Sequence, residues 1–575
     1  MYSWGSEIGE LGKGAREPFA PRRLLRYLGI LLFCLHSCSA FGQSNVIITS
    51  SVHARGGEEP AGNKACGQCH PAIYKSYQQT AMAHASGPSL GNVIPGEFTH
   101  ALSQVQYRVY QQDGKVWLSF DRDGAGEIHG KRELLFFIGS GHRGRTYVFA
   151  EDGFFFESPV NWYGQKGVWD MTPAYQNARH IPLNLPLSSE CLSCHTNDLQ
   201  QPVPGTENKY GVSIVTQEGI GCVRCHGPGD AHSKGSGPIL NPAKLPASRR
   251  DAICMQCHLE GSVAIQQPGR SLRDFKPGEE LQDYVHYFVL SQSGPGLPAL
   301  SQFEAFFQSV CKQKSGNAMS CMSCHDPHYS PSPAEKVAYY RSKCIACHGE
   351  KFAAKHHPKE QSCVTCHMPA VTSSNVAHTQ ATDHRILRNP ALGSLAATTQ
   401  TQPALKRFPP SSEMASDRDL ALAWQSLAEE GMESAVPEAE KYLRGALARH
   451  PDDSTLLTAM GFVAQKRGDL TQAKSMYEKA LANDPLATVA ATNLGVITAQ
   501  AGDVGRAIAL WQPAFDRQPG RSAIGVNLAK AFCAEGKPDE AILEIKRVLE
   551  FNPDLPEAQE MLQELSKNPS QCRLQ

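Results

Sequence analysis

Seven copies of Cys-x-x-Cys-His constrain this chain more than any other feature. They comprise Cys66, Cys69 and His70; Cys191, Cys194 and His195; Cys222, Cys225 and His226; Cys254, Cys257 and His258; Cys321, Cys324 and His325; Cys344, Cys347 and His348; and Cys363, Cys366 and His367. Each is the attachment signature of a c-type haem: two thiols form thioethers with the porphyrin, and the adjacent imidazole becomes the proximal iron ligand. With 19 Cys and 22 His in 575 residues, chance yields about 0.02 such pentapeptides. Seven therefore imply seven covalently bound haems. Zinc ribbons also use Cys-x-x-Cys pairs, but they need no His directly after the second Cys. Here every such pair has one.

The length allows two or three domains. A formal net charge of −1 with no long charge run gives no support for nucleic-acid binding. Export is expected from the N-terminus. Arg22, Arg23 and Arg26 precede the apolar run from Tyr27 to Leu35, and Cys38-Ser39-Ala40 ends in a small residue suited to cleavage before Phe41. That run is too short to span a bilayer. An uncleaved anchor, or a lipid on Cys38, is an alternative to a signal peptide over 1–40. Covalent haem and export agree, so the mature protein is expected in the periplasm or on the outer surface of a bacterium. Beyond the motifs and the signal, Cys311, Cys533 and Cys572 are left over. Cys311 reads as a thiol near the fifth motif. A Cys533–Cys572 disulfide is the less favoured arrangement of the other two.

Between the first two motifs the pattern turns to β structure. Val105, Tyr107 and Val109 alternate with polar residues, and Asp113-Gly114 marks a hairpin before Val116, Leu118 and Phe120. A second pair flanks Asp152-Gly153. A small antiparallel sheet at about 100–160 is therefore expected inside a loop-rich, mainly α haem domain over 41–397. Its six later motifs crowd into 191–370. Residues 398–415, rich in Thr, Gln, Pro and Ser, read as a linker. Then Pro451, Pro485, Pro519 and Pro553 recur every 34 residues, as do Gly468, Gly502 and Gly536, and Ala439, Ala473, Ala507 and Ala541. A helix–turn–helix unit of that period is the tetratricopeptide signature, an all-α solenoid over 416–567 with a tail at 568–575. The abrupt change implies two separable domains.

The haem region resembles the multihaem cytochromes of the cytochrome c-554 family, in the variety fused to tetratricopeptide repeats. The resemblance lies in GSGHRGRTY (139–147), GIGCVRCHGPGDAH (219–232), NPAKL (241–245), ICMQCHLEG (253–261), MSCMSCHDPH (319–328), CVTCHMP (363–369) and TDHRI (382–386). It implies an exported electron-transfer protein with largely bis-histidine haems, and His232 as an axial ligand. Thirteen non-motif histidines lie in the haem domain. His232, His328, His378, His384, His84, His142 and His286 are the distal candidates, with Met82 a rival to His84. His180, His356 and His357 read as solvated or hydrogen-bonded imidazoles, and His53, His100 and His129 as surface residues. No Cys-x-x-Cys-Lys, nucleophile or paired catalytic carboxylates are evident. The expected protein is thus an electron carrier more than an enzyme. It would meet redox partner proteins, membrane-associated or periplasmic, and would take a peptide or protein on the concave face of the repeats. A multihaem oxidoreductase with one open haem, and a repeat scaffold or haem wire, are the alternatives.

Overall fold

Cysteines at i and i+3 and a histidine at i+4 share one face of a helical turn, and six of the seven motifs lie on short helices. These helices are Asn63–Cys69, Ser189–His195, Val223–His226, Ala247–His258, Lys336–His348 and Cys363–His367. The fifth motif starts on a single 3-10 turn, Cys321–Ser323. The computed structural model describes residues 62–124, 126–197, 200–211, 214–215, 217–291, 301–356, 362–370, 382–389, 403–411, 413–569 and 572. The expected signal and leader, His53, His357 and His378 lie outside them.

The β insertion is larger than the expected 100–160. Four antiparallel strands, Gly96–Thr99, Gln106–Gln112, Lys115–Arg122 and Ile128–Glu133, pair in sequence order. A second sheet is built from Ser86–Pro88, Phe136–Ile138, Gly144–Glu151, Phe154–Tyr163, Val168–Met171 and Leu185–Pro186. Both hairpin turns form where Asp-Gly places them: Asp113 and Gly114, and Asp152 and Gly153, all have positive φ, as a type I′ turn requires. The alternating Val105, Tyr107, Val109, Val116, Leu118 and Phe120 are buried and share one core with Phe137, Tyr147, Phe149, Phe156 and Met171 of the second sheet. His100, expected on the surface, is buried there, with Nδ1 2.9 Å from Ser103 Oγ.

The repeats form as the period dictates. Helices run Asp417–Glu429, Ala435–Arg449, Ser454–Lys466, Leu470–Asn483, Thr488–Gln500, Val504–Arg517, Ser522–Ala534, Pro538–Phe551 and Pro556–Lys567. Ala439, Ala473, Ala507 and Ala541 are fully buried, where any larger side chain would push the paired helices apart. Gly468, Gly502 and Gly536 take positive φ at the turns. Cys533 and Cys572 are joined in a disulfide. This corrects the expectation: the fold returns the tail to the helix that carries Cys533, a proximity invisible in a 39-residue separation.

The expected linker contains a strand. Ala404–Phe408 pairs antiparallel with Val285–Ser291, which also pairs with Val263–Gln266. This third sheet lies directly against the repeats: Val263, Ile265, Phe288 and Leu290 share a core with Leu422, Trp424, Leu427, Leu443 and Met460. Beside it, His286 Nδ1 is 2.7 Å from Asp419 Oδ2, and Arg407 Nη2 donates to His286 Nε2 at 2.8 Å.

The far end of the array is held as firmly. Phe551 packs on Phe156 with ring centroids 4.9 Å apart. Leu183 N donates to Phe551 O at 2.8 Å, Ile181 N to Asp554 Oδ1 at 2.6 Å, and Arg122 Nη1 meets Asp554 Oδ2 at 2.8 Å. The solenoid therefore straddles the haem-bearing region, gripping it at both ends. The helices around the last motifs are the opposite case. Lys336–His348, Glu350–His356 and Cys363–His367 contain no buried residue.

Candidate functional site

The motif histidines are brought to partners by segments far away in sequence. His70 and His232 lie with ring centroids 6.3 Å apart and planes 8° from parallel. His226 pairs with His328 at 5.9 Å and 17°, His325 with His384 at 6.3 Å and 22°, and His367 with His356 at 6.2 Å and 23°. An iron held between two imidazoles by metal–nitrogen bonds of about 2 Å sets their centroids roughly 6 Å apart. Four imidazole pairs thus have the spacing of a bis-histidine iron site.

Hydrogen bonds orient these rings. His226 Nδ1 donates to Leu240 O at 2.8 Å, His367 Nδ1 to Leu387 O at 2.6 Å, and His384 Nδ1 to Thr382 O at 2.9 Å. A carbonyl only accepts, so Nδ1 carries the proton and Nε2 keeps its lone pair for a metal. His328 Nδ1 lies 3.5 Å from Asp326 Oδ1. His258, His325 and His384 share a recess. Burial pushes each below its ordinary value, and repulsion from His384 and His258 then holds His325 down at about 4. These imidazoles stay neutral at pH 7, the state a metal ligand needs.

The motif thiols meet in a network. Cys66 is close enough to Cys222 to shift its thiol, and the same holds for Cys194 and Cys257, Cys254 and Cys321, and Cys344 and Cys363. Burial, first among the causes, raises Cys222, Cys225 and Cys344 to about 11, so these thiols are protonated at neutral pH. Among the described residues, no group of three or more His, Cys, Asp or Glu converges as a metal cluster would. Beside the sixth motif, a groove of about 550 Å³ is lined by Val337, Ala338, Ile345 and Ala346 together with Ser342 and the Arg341–Glu350 ion pair.

Of the distal candidates, His232, His328 and His384 are brought against motif imidazoles, and His378 lies outside the described residues. His286 is not free to ligate, because both ring nitrogens are engaged by Asp419 and Arg407. His84 places Nε2 2.8 Å from Gln78 O, and His142 is exposed; neither ring is stacked on a motif imidazole among the described residues. Sequence reasoning passed over His356. It also passed over Gln302, whose side chain hydrogen-bonds His258, and Glu157, whose Oε1 accepts from Cys191 Sγ at 3.3 Å. No local pattern marks any of the three.

Comparison with known proteins finds multihaem cytochromes and repeat proteins. The family described as cytochrome c554 and c-prime matches residues 171–227, the doubled CXXCH motif matches 314–353, and tetratricopeptide repeats match 458–520 and 499–565. The multiheme cytochrome MtrA of Shewanella baltica (strain OS185) is 26% identical over 187 residues, covering 29% of this chain and 54% of that relative. The chain thus spans about half the length of the relative it matches. Solved structures of MamA AMB-1 (20% identity, 27% of this chain, 83% of that one) and of Pseudomonas aeruginosa pilF (22%, 27% and 71%) each superpose with a TM-score of 0.24. Motifs, imidazole pairs and family matches converge: the chain is a multihaem c-type cytochrome with C-terminal tetratricopeptide repeats.

Proposed function

We propose that this is an exported heptahaem electron carrier, with the repeats serving contacts to protein partners. The observation that carries it is the set of four imidazole pairs, which supports sixth ligation by His232, His328, His384 and His356 of the irons held by His70, His226, His325 and His367. An iron with two imidazole ligands cycles between ferric and ferrous without a position for substrate. The thiol contacts support an order in which the first haem adjoins the third, the second adjoins the fourth, the fourth adjoins the fifth, and the sixth adjoins the seventh. Cys225 is near enough to Cys257 to act on it, and Cys347 to act on Cys324, which supports joining these pairs into one relay. Likeness to a multihaem cytochrome of a bacterium supports export. Among the described residues no helix is long and apolar enough to cross a membrane.

Intact mass after denaturation is expected to show seven covalent haems; four or fewer would remove the stoichiometry. Replacing His232 by Ala is expected to convert one low-spin haem, the first, to high spin in the ferric electron paramagnetic resonance spectrum. An unchanged spectrum strikes His232 from the ligands. The rival reading, an oxidoreductase acting on a small nitrogen or sulfur species, is tied to His258 and His348, against which no second imidazole stacks among the described residues. A high-spin signal in the unmodified holoprotein favours it.

A further inference from the structure

The charge of this chain is unevenly spread. Its formal net charge is −1, yet residues 310–389 carry ten Lys and Arg against five Asp and Glu; Lys312 is buried on Asp251, and Arg341 and Arg385 pair with Glu350 and Asp383, which leaves the other cations in excess. This segment holds the last three haem motifs. Lys336, Lys351 and Lys355 are exposed on Lys336–His348 and Glu350–His356, two of the helices without a buried residue. The sixth haem motif lies on the same helix as Lys336, and Phe352 lies between His348 and His356 with ring centroids 5.5 Å and 5.2 Å away. In the thiol order above, this is also one end of the relay.

We infer that the segment around the sixth and seventh motifs is the docking surface for an acidic redox protein. This rests on the relay reading given above. One electron passes between the partner's reduced centre and one ferric haem, which becomes ferrous; no atom is transferred. Positive side chains beside a redox centre steer an anionic partner and orient it edge to edge. A second copy of this chain is the weaker fit. Its repeats carry 23 Asp and Glu over 416–567, but 16 Lys and Arg are interleaved with them. Ion pairs such as Arg506–Glu478, Lys530–Glu557 and Arg547–Asp516 tie many together, leaving little single-sign field.

The test uses the holoprotein, with acidic flavodoxin in its hydroquinone state as donor and stopped-flow haem absorbance as readout. Lys336→Glu, Lys351→Glu and Lys355→Glu together are expected to slow second-order reduction at least tenfold at low salt and to flatten its salt dependence. The same number of reversals on the repeats, Lys479→Glu, Lys546→Glu and Lys567→Glu, is expected to leave the rate within twofold. A wild-type rate in the first variant overturns the inference. So does a salt-sensitive dimer, seen by sedimentation, that the first variant abolishes, because the surface then binds a second copy. Dithionite reports on the relay separately. If it reduces all haems in both variants, a lost flavodoxin rate is a docking defect; if flavodoxin reduces only part of the haems of the unmodified protein while dithionite reduces all of them, the relay reading fails instead.

Discussion

A chain ended at residue 400 is expected to lose its third sheet along with its repeats. The cut removes Ala404–Phe408, one of two strands bonded to Val285–Ser291, and exposes Val263, Ile265, Phe288 and Leu290. Burial of such a side chain is worth roughly 1.5–3 kcal/mol, so four approach the whole stability of a typical domain, about 5–15 kcal/mol. The damage reaches the haems. Met255 and Leu259, on the helix of the fourth motif and just beyond it, pack against Tyr284, Val285 and Tyr287. Guanidinium unfolding followed by haem absorbance is expected to begin at much lower denaturant, with aggregation. An unchanged midpoint would restore the separable domains that the sequence implies. Asp419→Ala probes the same interface within the intact chain. It leaves the Nδ1 proton of His286 without its acceptor, at a cost of about 2 kcal/mol. Burial opposes ionisation of Asp419, but bonds from His286 and Ser416 and the charge of Arg418 hold its carboxyl below the ordinary range. Its contribution is therefore complete at neutral pH and is lost as the pH falls below the usual carboxylate range.

What the sequence disclosed and what it hid divide along a physical line. Haem attachment is local chemistry: a pentapeptide must present two thiols and an imidazole within one turn, so all seven motifs can be read from the residues alone. The repeats are legible because each unit buries its Ala against the next at a fixed interval. The Asp-Gly turns are legible because few residue pairs tolerate two successive positive φ values. Sixth ligation is not local. His232 stands 162 positions from His70, and only packing brings their rings together while Asp419, on a repeat helix, claims the ring of His286. The same holds for Ala404–Phe408. Its Thr- and Pro-rich surroundings read as a linker, and only the open edge of Val285–Ser291 makes it a strand. The grip at both ends of the solenoid is equally remote, since nothing in the local sequence of Phe551 or Asp554 points to Phe156 or Arg122.

Blocking haem attachment is expected to divide the chain into a folded and an unfolded part. The helices Lys336–His348, Glu350–His356 and Cys363–His367 bury no side chain of their own, and isolated helices shorter than about 12–15 residues are marginal in water. Their paired imidazoles repel or ignore one another without an iron between them. On the proposed reading the porphyrins are what this segment packs against, so without them its conformational entropy has nothing to offset it. The repeats and the two β sheets differ: Trp424, Trp511, Phe515, Tyr107 and Phe149 are buried by protein alone. A full-length chain made in the cytoplasm, where haem is not attached, is therefore expected to show rapid amide exchange over 310–389 and slow exchange in the repeat helices. Trypsin should cut first at Lys336, Lys343, Lys351 or Lys355 and leave the repeats intact. Slow exchange across 336–367 in that haem-free chain would mean that protein packing alone holds the segment, and that the porphyrins are not its core.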